Sequence, residues 1–146
     1  MREQTVANRA FAAHVLRASD RRRGRSDRTA GGPGGGRPLW FHMRVASIST
    51  HVLDATGGRP APGVRVLLSR ADEPVAEAVT DESGRIADLA GEVPAGRYRL
   101  SFEVGAYFAE AAHLFHAVHL DVDVGGGHHH LPLLLAPYSC TTYRGR

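Results

Sequence analysis

Histidine is the side chain whose unperturbed pKa lets it take up and return a proton near neutral pH. Seven of the nine histidines of this chain fall between residues 43 and 146. His51 lies in Ser47-Ile48-Ser49-Thr50-His51-Val52-Leu53-Asp54, flanked by small hydroxyl side chains able to fix its tautomer through hydrogen bonds. A polar strand residue facing water is the commoner fate of such a histidine; a general base is the sharper reading. Arg85 follows Ser83-Gly84 in a turn and precedes Ile86. A guanidinium at a strand entrance can clamp a planar anion at two points, as lysine cannot, although a turn arginine is more often simply solvated. His128, His129 and His130 are consecutive, and His-rich tracts bind metals. In a strand, however, His128 and His130 share a face while His129 points away, and no partner at a recognisable ligand spacing completes a tetrahedral set. His113, His116 and His119 are three apart and straddle an expected helix-to-strand boundary, so they do not share a face. A metal site is not favoured. The chain ends in Tyr143-Arg144-Gly145-Arg146, a polar tip at a fixed distance beyond an apolar strand that begins at His130. Chain ends are ordinarily frayed; a tip tied to a strand with a histidine at its start reads as part of a site.

The elements that must position these residues are strands. Arg44 to Leu53 alternates polar and apolar, Gly63 to Ser69 is a Val/Leu run, and Val75 to Thr80 is a third candidate. Turn chemistry separates them: Thr56-Gly57-Gly58-Arg59-Pro60, Ala71-Asp72-Glu73-Pro74 and Asp81-Glu82-Ser83-Gly84. Gly96 to Val104 alternates cleanly, with Tyr98, Leu100, Phe102 and Val104 on one face. Ala106 to Leu114, Ala-rich and free of glycine, is the one helix expected here. Ala117 to Val124 follows as a strand, then Gly125-Gly126-Gly127 as a hairpin turn and His128 to Leu135 as the return strand. A second β-prone run from Tyr138 to Tyr143 comes after the Ala136-Pro137 break. Seven or eight short strands with one short helix predict an all-β fold, an antiparallel sandwich.

The chain has 146 residues, enough for one ordinary domain. Residues 1–42 carry nine arginines against three acids, and residues 43–146 nine arginines against twelve, so the basic balance belongs to the first segment. There is no lysine. Asn8 to Ala18 is spaced for a short helix, but Arg21-Arg22-Arg23-Gly24-Arg25 and Gly31-Gly32-Pro33-Gly34-Gly35-Gly36 cannot bury enough apolar surface to order themselves. Residues 1–42 therefore read as a disordered leader, with a nucleic-acid or anionic-surface tail as the functional alternative, and Met43 is a natural beginning for the folded part, 43–146. The single cysteine, Cys140, rules out an intrachain disulfide framework and fits a reducing compartment such as the cytoplasm. It reads as a small strand residue rather than a nucleophile. No apolar run approaches the ~18–20 residues of a membrane span.

The joint occurrence of several motifs is more specific than any one histidine. His51 within Ile-Ser-Thr-His-Val-Leu-Asp, the Gly-Arg-Pro-Ala-Pro-Gly turn of residues 58–63, Gly84-Arg85, His130 before Leu-Pro-Leu-Leu-Leu-Ala-Pro, and Thr142-Tyr143-Arg144-Gly145 together resemble the hydroxyisourate hydrolases, the transthyretin-related enzymes of urate breakdown. The resemblance covers residues 43–146 almost without gaps. It implies a transthyretin-like β-sandwich, a homotetramer, and hydrolysis of 5-hydroxyisourate to 2-oxo-4-hydroxy-4-carboxy-5-ureidoimidazoline without a metal or organic cofactor. Nucleic acid and membrane are not expected partners. The family's catalytic residues correspond to His51, Arg85 and His130, with either histidine as the base. Its substrate-lining terminal Tyr-Arg-Gly-Ser corresponds to Tyr143, Arg144 and Gly145, while Arg146 stands where the family has serine. Loss of that hydroxyl costs about 0.5–1.5 kcal/mol if it makes an ordinary hydrogen bond. The alternative within the same fold is a transthyretin-like carrier of a small ligand without catalysis; transthyretin lacks the histidine, arginine and Tyr-Arg-Gly set.

Overall fold

The computed structural model describes residues 44–145. The helix expected over Asn8 to Ala18, the Arg- and Gly-rich runs after it, the start at Met43, and Arg146 lie outside the described residues. In chain order the elements are β1 (Val45–Asp54), β2 (Arg59–Pro60), β3 (Arg65–Arg70), β4 (Glu73–Val79), β5 (Arg85–Ile86), β6 (Val93–Pro94), β7 (Gly96–Glu103), α1 (Gly105–Phe108), β8 (Ala117–Val124), β9 (Gly127–His130), β10 (Leu133–Ala136) and β11 (Ser139–Thr142). Eight of the strands are four residues or longer, and β2, β5 and β6 are two-residue pairings.

They form two sheets. One has the order β4-β3-β7-β8 and is antiparallel throughout. The other runs β11-β10-β1-β2, with β5, β6 and β9 also pairing β1. The core lies between them, filled by alternate residues of each strand: Ile48 and Val52 from β1, Val66 and Leu68 from β3, Tyr98, Leu100 and Phe102 from β7, Leu133 and Leu135 from β10. This is the period-two pattern of a two-layer sandwich whose outer faces meet solvent.

Three expectations are corrected. The glycines before β9 do not close a hairpin: β8 pairs β7 alone, while β9 crosses to the other sheet and runs parallel to β1, with Ile48 opposite His129 and Ser49 opposite His130. Glycines permit many chain directions, and burial of Leu131, Leu133 and Leu135 beside β1 selects this one. The return strand is also broken, since Pro132 has no N–H for a ladder. The strand bends there into β10, which stays parallel to β1; Thr50 donates to the Leu131 carbonyl at 2.7 Å and Thr142 to the Pro132 carbonyl at 2.8 Å. The helix expected over Ala106–Leu114 is a single turn, Gly105–Phe108. Alanine content gives propensity but no buried face, α1 lacks a side-chain cap, and Ala109 takes φ 50°. So short a helix has little stability of its own, and Leu114 instead bonds the Pro137 carbonyl at 2.8 Å.

Candidate active site

β1 is the spine of the site. Its alternation puts Ile48 and Val52 in the core and turns Ser47, Ser49 and His51 to the outer face of the sheet. Directly paired residues on neighbouring strands share a face. Arg85 of β5 stands opposite His51, His130 of β9 stands opposite Ser49, and Gly145 bridges back to His130. Arginine, two histidines and the chain tip thus form one row across the sheet, drawn from four stretches of sequence. His51 and His130 are half-buried, Arg85 exposed.

The turn before β5 aims Arg85. Gly84 has φ 73°, and a side chain there would run into the Val52 carbonyl oxygen and lie 3.0 Å from the Ala61 nitrogen. Only glycine lets the turn approach β1 so closely, and Val52 N–H donates to the Gly84 carbonyl at 2.8 Å. Asp81 Oδ1 accepts from Ser83 N–H at 2.9 Å, Ser83 Oγ at 2.7 Å and Arg85 N–H at 2.9 Å, an Asx-type organisation that fixes the backbone of Arg85. These bonds, that from Arg85 N–H first, hold the Asp81 carboxyl below its usual range. The Arg85 guanidinium makes no ion pair among the described residues.

Both histidines are held toward the neutral form. His51 is lowered by burial and then by the charge of Arg85, against smaller upward pulls from the Ser83 backbone and Asp81. Its Nε2 is buried and has no hydrogen-bond partner among the described residues. His130 is lowered by burial, then by Arg85, His128 and His51. Its Nδ1 lies 2.8 Å from Ser49 Oγ.

Gly145 N–H donates to the His130 carbonyl at 2.8 Å, and a Cβ at Gly145 would collide with the His130 ring. The chain tip therefore lies flat against the imidazole. Tyr143 and Arg144 are exposed and join β11 to that contact. The hydroxyls flanking His51 serve other partners: Ser47 Oγ lies 2.9 Å from His128 Nδ1, and Ser49 Oγ lies 2.8 Å from His128 Nε2. Ser47, Ser49 and His128 had a legible signal, since period two from His51 and from His130 places all three on the same face. His129 is buried on the other side. His113 and His116 meet edge to face with ring centres 5.2 Å apart, and His119 bonds Ser101 at 2.8 Å; neither contact brings them to the row. Cys140 is an exposed residue of β11.

Fold and site together define a transthyretin-like β-sandwich with a histidine-arginine cluster on one outer sheet face. The model of the HIUase/Transthyretin family matches residues 48–145, and the chain belongs to that family. It is 43% identical over 112 residues to the 5-hydroxyisourate hydrolase of Deinococcus radiodurans, an alignment covering 67% of this chain and 94% of that protein. Among solved structures, Klebsiella pneumoniae 5-hydroxyisourate hydrolase superposes with a TM-score of 0.65 at 45% identity, covering 69% of this chain and 94% of that one. Transthyretin from Sparus aurata superposes with a TM-score of 0.62 at 34% identity, covering 67% and 95%.

Proposed function

We propose that this protein is an enzyme that hydrolyses 5-hydroxyisourate to 2-oxo-4-hydroxy-4-carboxy-5-ureidoimidazoline in urate degradation, the activity for which its hydrolase relatives are named. The observation that carries the reading is the row Arg85, His51, His130 and Gly145 on one sheet face. Arg85 binds the electron-poor ring and stabilises negative charge growing on the carbonyl oxygen under attack. His51, held toward the neutral form, takes a proton from water as the water oxygen adds to the ring amide carbon. The tetrahedral adduct then collapses, the C–N bond breaks, and the proton passes to the departing nitrogen. His130 stands beside the same carbon and receives the second proton of the water as the acid becomes a carboxylate. A positioned histidine contributes ~10²–10⁴-fold to such a step. Gly145 fixes the His130 ring, and Tyr143 and Arg144 line the substrate from the chain tip. The row lies on an outer face of the sheet, and a homotetramer is the assembly inferred for the protein.

The test is the decay of 5-hydroxyisourate absorbance, with substrate freshly generated from urate. Wild type accelerates the decay over the spontaneous rate, and His51→Ala loses roughly 10²–10⁴-fold of kcat. No acceleration by wild type overturns the activity; equal rates in both forms remove the base.

A further inference from the structure

Amide hydrolysis at neutral pH leaves a surplus proton. Water brings two; one ends on the departing nitrogen, and the other is released when the new carboxyl ionises, because its pKa lies well below 7. That proton must leave a half-buried site beside the fixed charge of Arg85, where an imidazolium is poorly tolerated. An exit is therefore part of the chemistry.

We propose that Ser49 and His128 form that exit, a hydrogen-bonded relay carrying the surplus proton from His130 to solvent. The inference rests on the hydrolytic reading above. The geometry is a continuous chain: His130 Nδ1 to Ser49 Oγ at 2.8 Å, Ser49 Oγ to His128 Nε2 at 2.8 Å, and His128 Nδ1 to Ser47 Oγ at 2.9 Å. Ser49 is buried, whereas His128 is exposed, so the chain runs from the site to water.

Proton counting makes it directional. A serine hydroxyl holds one hydrogen, so between two imidazole nitrogens it donates to one and must accept from the other. In the resting arrangement His130 Nδ1–H donates to Ser49, Ser49 donates to His128 Nε2, and His128 Nδ1–H donates to Ser47. His130 Nε2 is then bare. When that nitrogen takes the surplus proton, His130 Nδ1 passes its hydrogen to Ser49 Oγ and Ser49 passes its own to His128 Nε2. One proton enters at His130 and one arrives at His128, with each O–H or N–H bond broken matched by one formed. The positive charge now sits on the exposed ring, farther along the chain from Arg85, and water or buffer removes it. Solvent-mediated tautomerisation of the two rings, which moves the His130 proton from Nε2 back to Nδ1, and rotation of the Ser49 hydroxyl restore the resting arrangement with His130 Nε2 bare. Among the described residues, the charges that act on His130 are those of Arg85 from β5, His128 from its own strand and His51 from β1; all three oppose holding the proton on His130. Ser49 acts through His130 as a positioning residue and does not touch substrate.

The experiment compares wild type, Ser49→Ala, Ser49→Thr and His128→Gln on 5-hydroxyisourate as buffer concentration rises, with imidazole as the buffer. Ser49→Ala and His128→Gln are expected to lose roughly 10–10²-fold in kcat at low buffer with KM little changed. Added imidazole restores much of the loss, and Ser49→Thr, which keeps the hydroxyl, stays near wild type. Wild-type kcat in Ser49→Ala or His128→Gln at low buffer overturns the relay. So does a loss that imidazole leaves untouched, since that marks damage to structure. A wild type that does not turn over 5-hydroxyisourate sinks the hydrolytic reading itself, which separates the two failures.

Discussion

Gly145→Ala tests whether the chain tip positions a site histidine. The added Cβ would overlap His130 Cδ2 and lie 3.1 Å from Cγ and 3.2 Å from Cβ of the same ring. Restoring ordinary carbon contact requires a shift on the order of 1 Å. The imidazole is not a flexible chain end that can swing aside, because Ser49 holds it at Nδ1 and its backbone is in β9. Either the ring tilts and strains that bond, or the tip lifts and loses the bond from Gly145 N–H to the His130 carbonyl. Stability falls by one hydrogen bond, about 0.5–1.5 kcal/mol, which lowers Tm by roughly 2–12 °C in a domain near 100 residues. Rate changes more, since a misplacement of about 1 Å can cost ~10²-fold. The expected result is kcat/KM down about 10²-fold in a variant that still folds cooperatively. Initial rates and a thermal melt measure both. Wild-type kcat/KM in Gly145→Ala refutes the assignment of the tip as a wall that fixes His130.

The depressed histidines make a pH prediction. Burial first and Arg85 second hold His51 and His130 below 6.5, so the acid limb of kcat/KM falls below 6.5, and Arg85→Gln moves it upward; an unmoved limb in the variant contradicts the electrostatic account. Stability follows with a definite sign. Below the unfolded value of 6.5 the unfolded chain binds protons the native state refuses, so the contribution is complete above 6.5 and lost as pH falls through the lowered folded values. Denaturant midpoints across that range check it. Deleting residues 1–42, which precede the family match at 48–145, leaves activity, melt and assembly unchanged. Loss of assembly on that deletion, seen by sedimentation, would show the segment to be part of the working protein.

The legible part of the fold was its local part. Alternation gave β1 and β7 to within a residue, β8 matches the expected Ala117 to Val124, and the Val/Leu run gave β3 to within two; period two also puts His128 and His130 on one face. The strand misreadings are long-range, whereas the helix over Ala106–Leu114 was misread locally, its alanines giving propensity without a buried face. A glycine run carries no mark of whether the next strand returns to its neighbour or crosses the sandwich; burial of Leu133 and Leu135 beside β1 decides that. The site suffered the same limit. Ser49 and His130 are 81 positions apart, and nothing local in Ser47-Ile48-Ser49-Thr50-His51 shows which hydroxyl meets which ring. His51, Arg85 and His130 could be joined only through the resemblance. Gly145 was legible as part of the tip, but its contact with the His130 ring was not, because close approach of backbone to a side chain leaves no pattern in sequence.

Arg85 works only if it stays unpaired, in a folded part that carries more acids than arginines. The arrangement of those acids explains how it does. On the outer face of the second sheet Arg65 joins Glu77 and Glu103, Arg97 joins Asp123, and Arg99 joins Asp121; such exposed pairs add little stability, but they occupy carboxylates on the side of the sandwich away from the site. Asp54 accepts from Thr56 N–H, Gly57 N–H, Tyr107 and Arg59. Asp81, in the turn before Arg85, has its Oδ1 taken by Arg85's own backbone N–H together with Ser83. One acid thus fixes the position of the arginine through the main chain without quenching its side chain. The guanidinium, with no ion pair among the described residues, in turn helps keep both histidines neutral, so the turn of residues 81–84 bears on the charge state of the whole row.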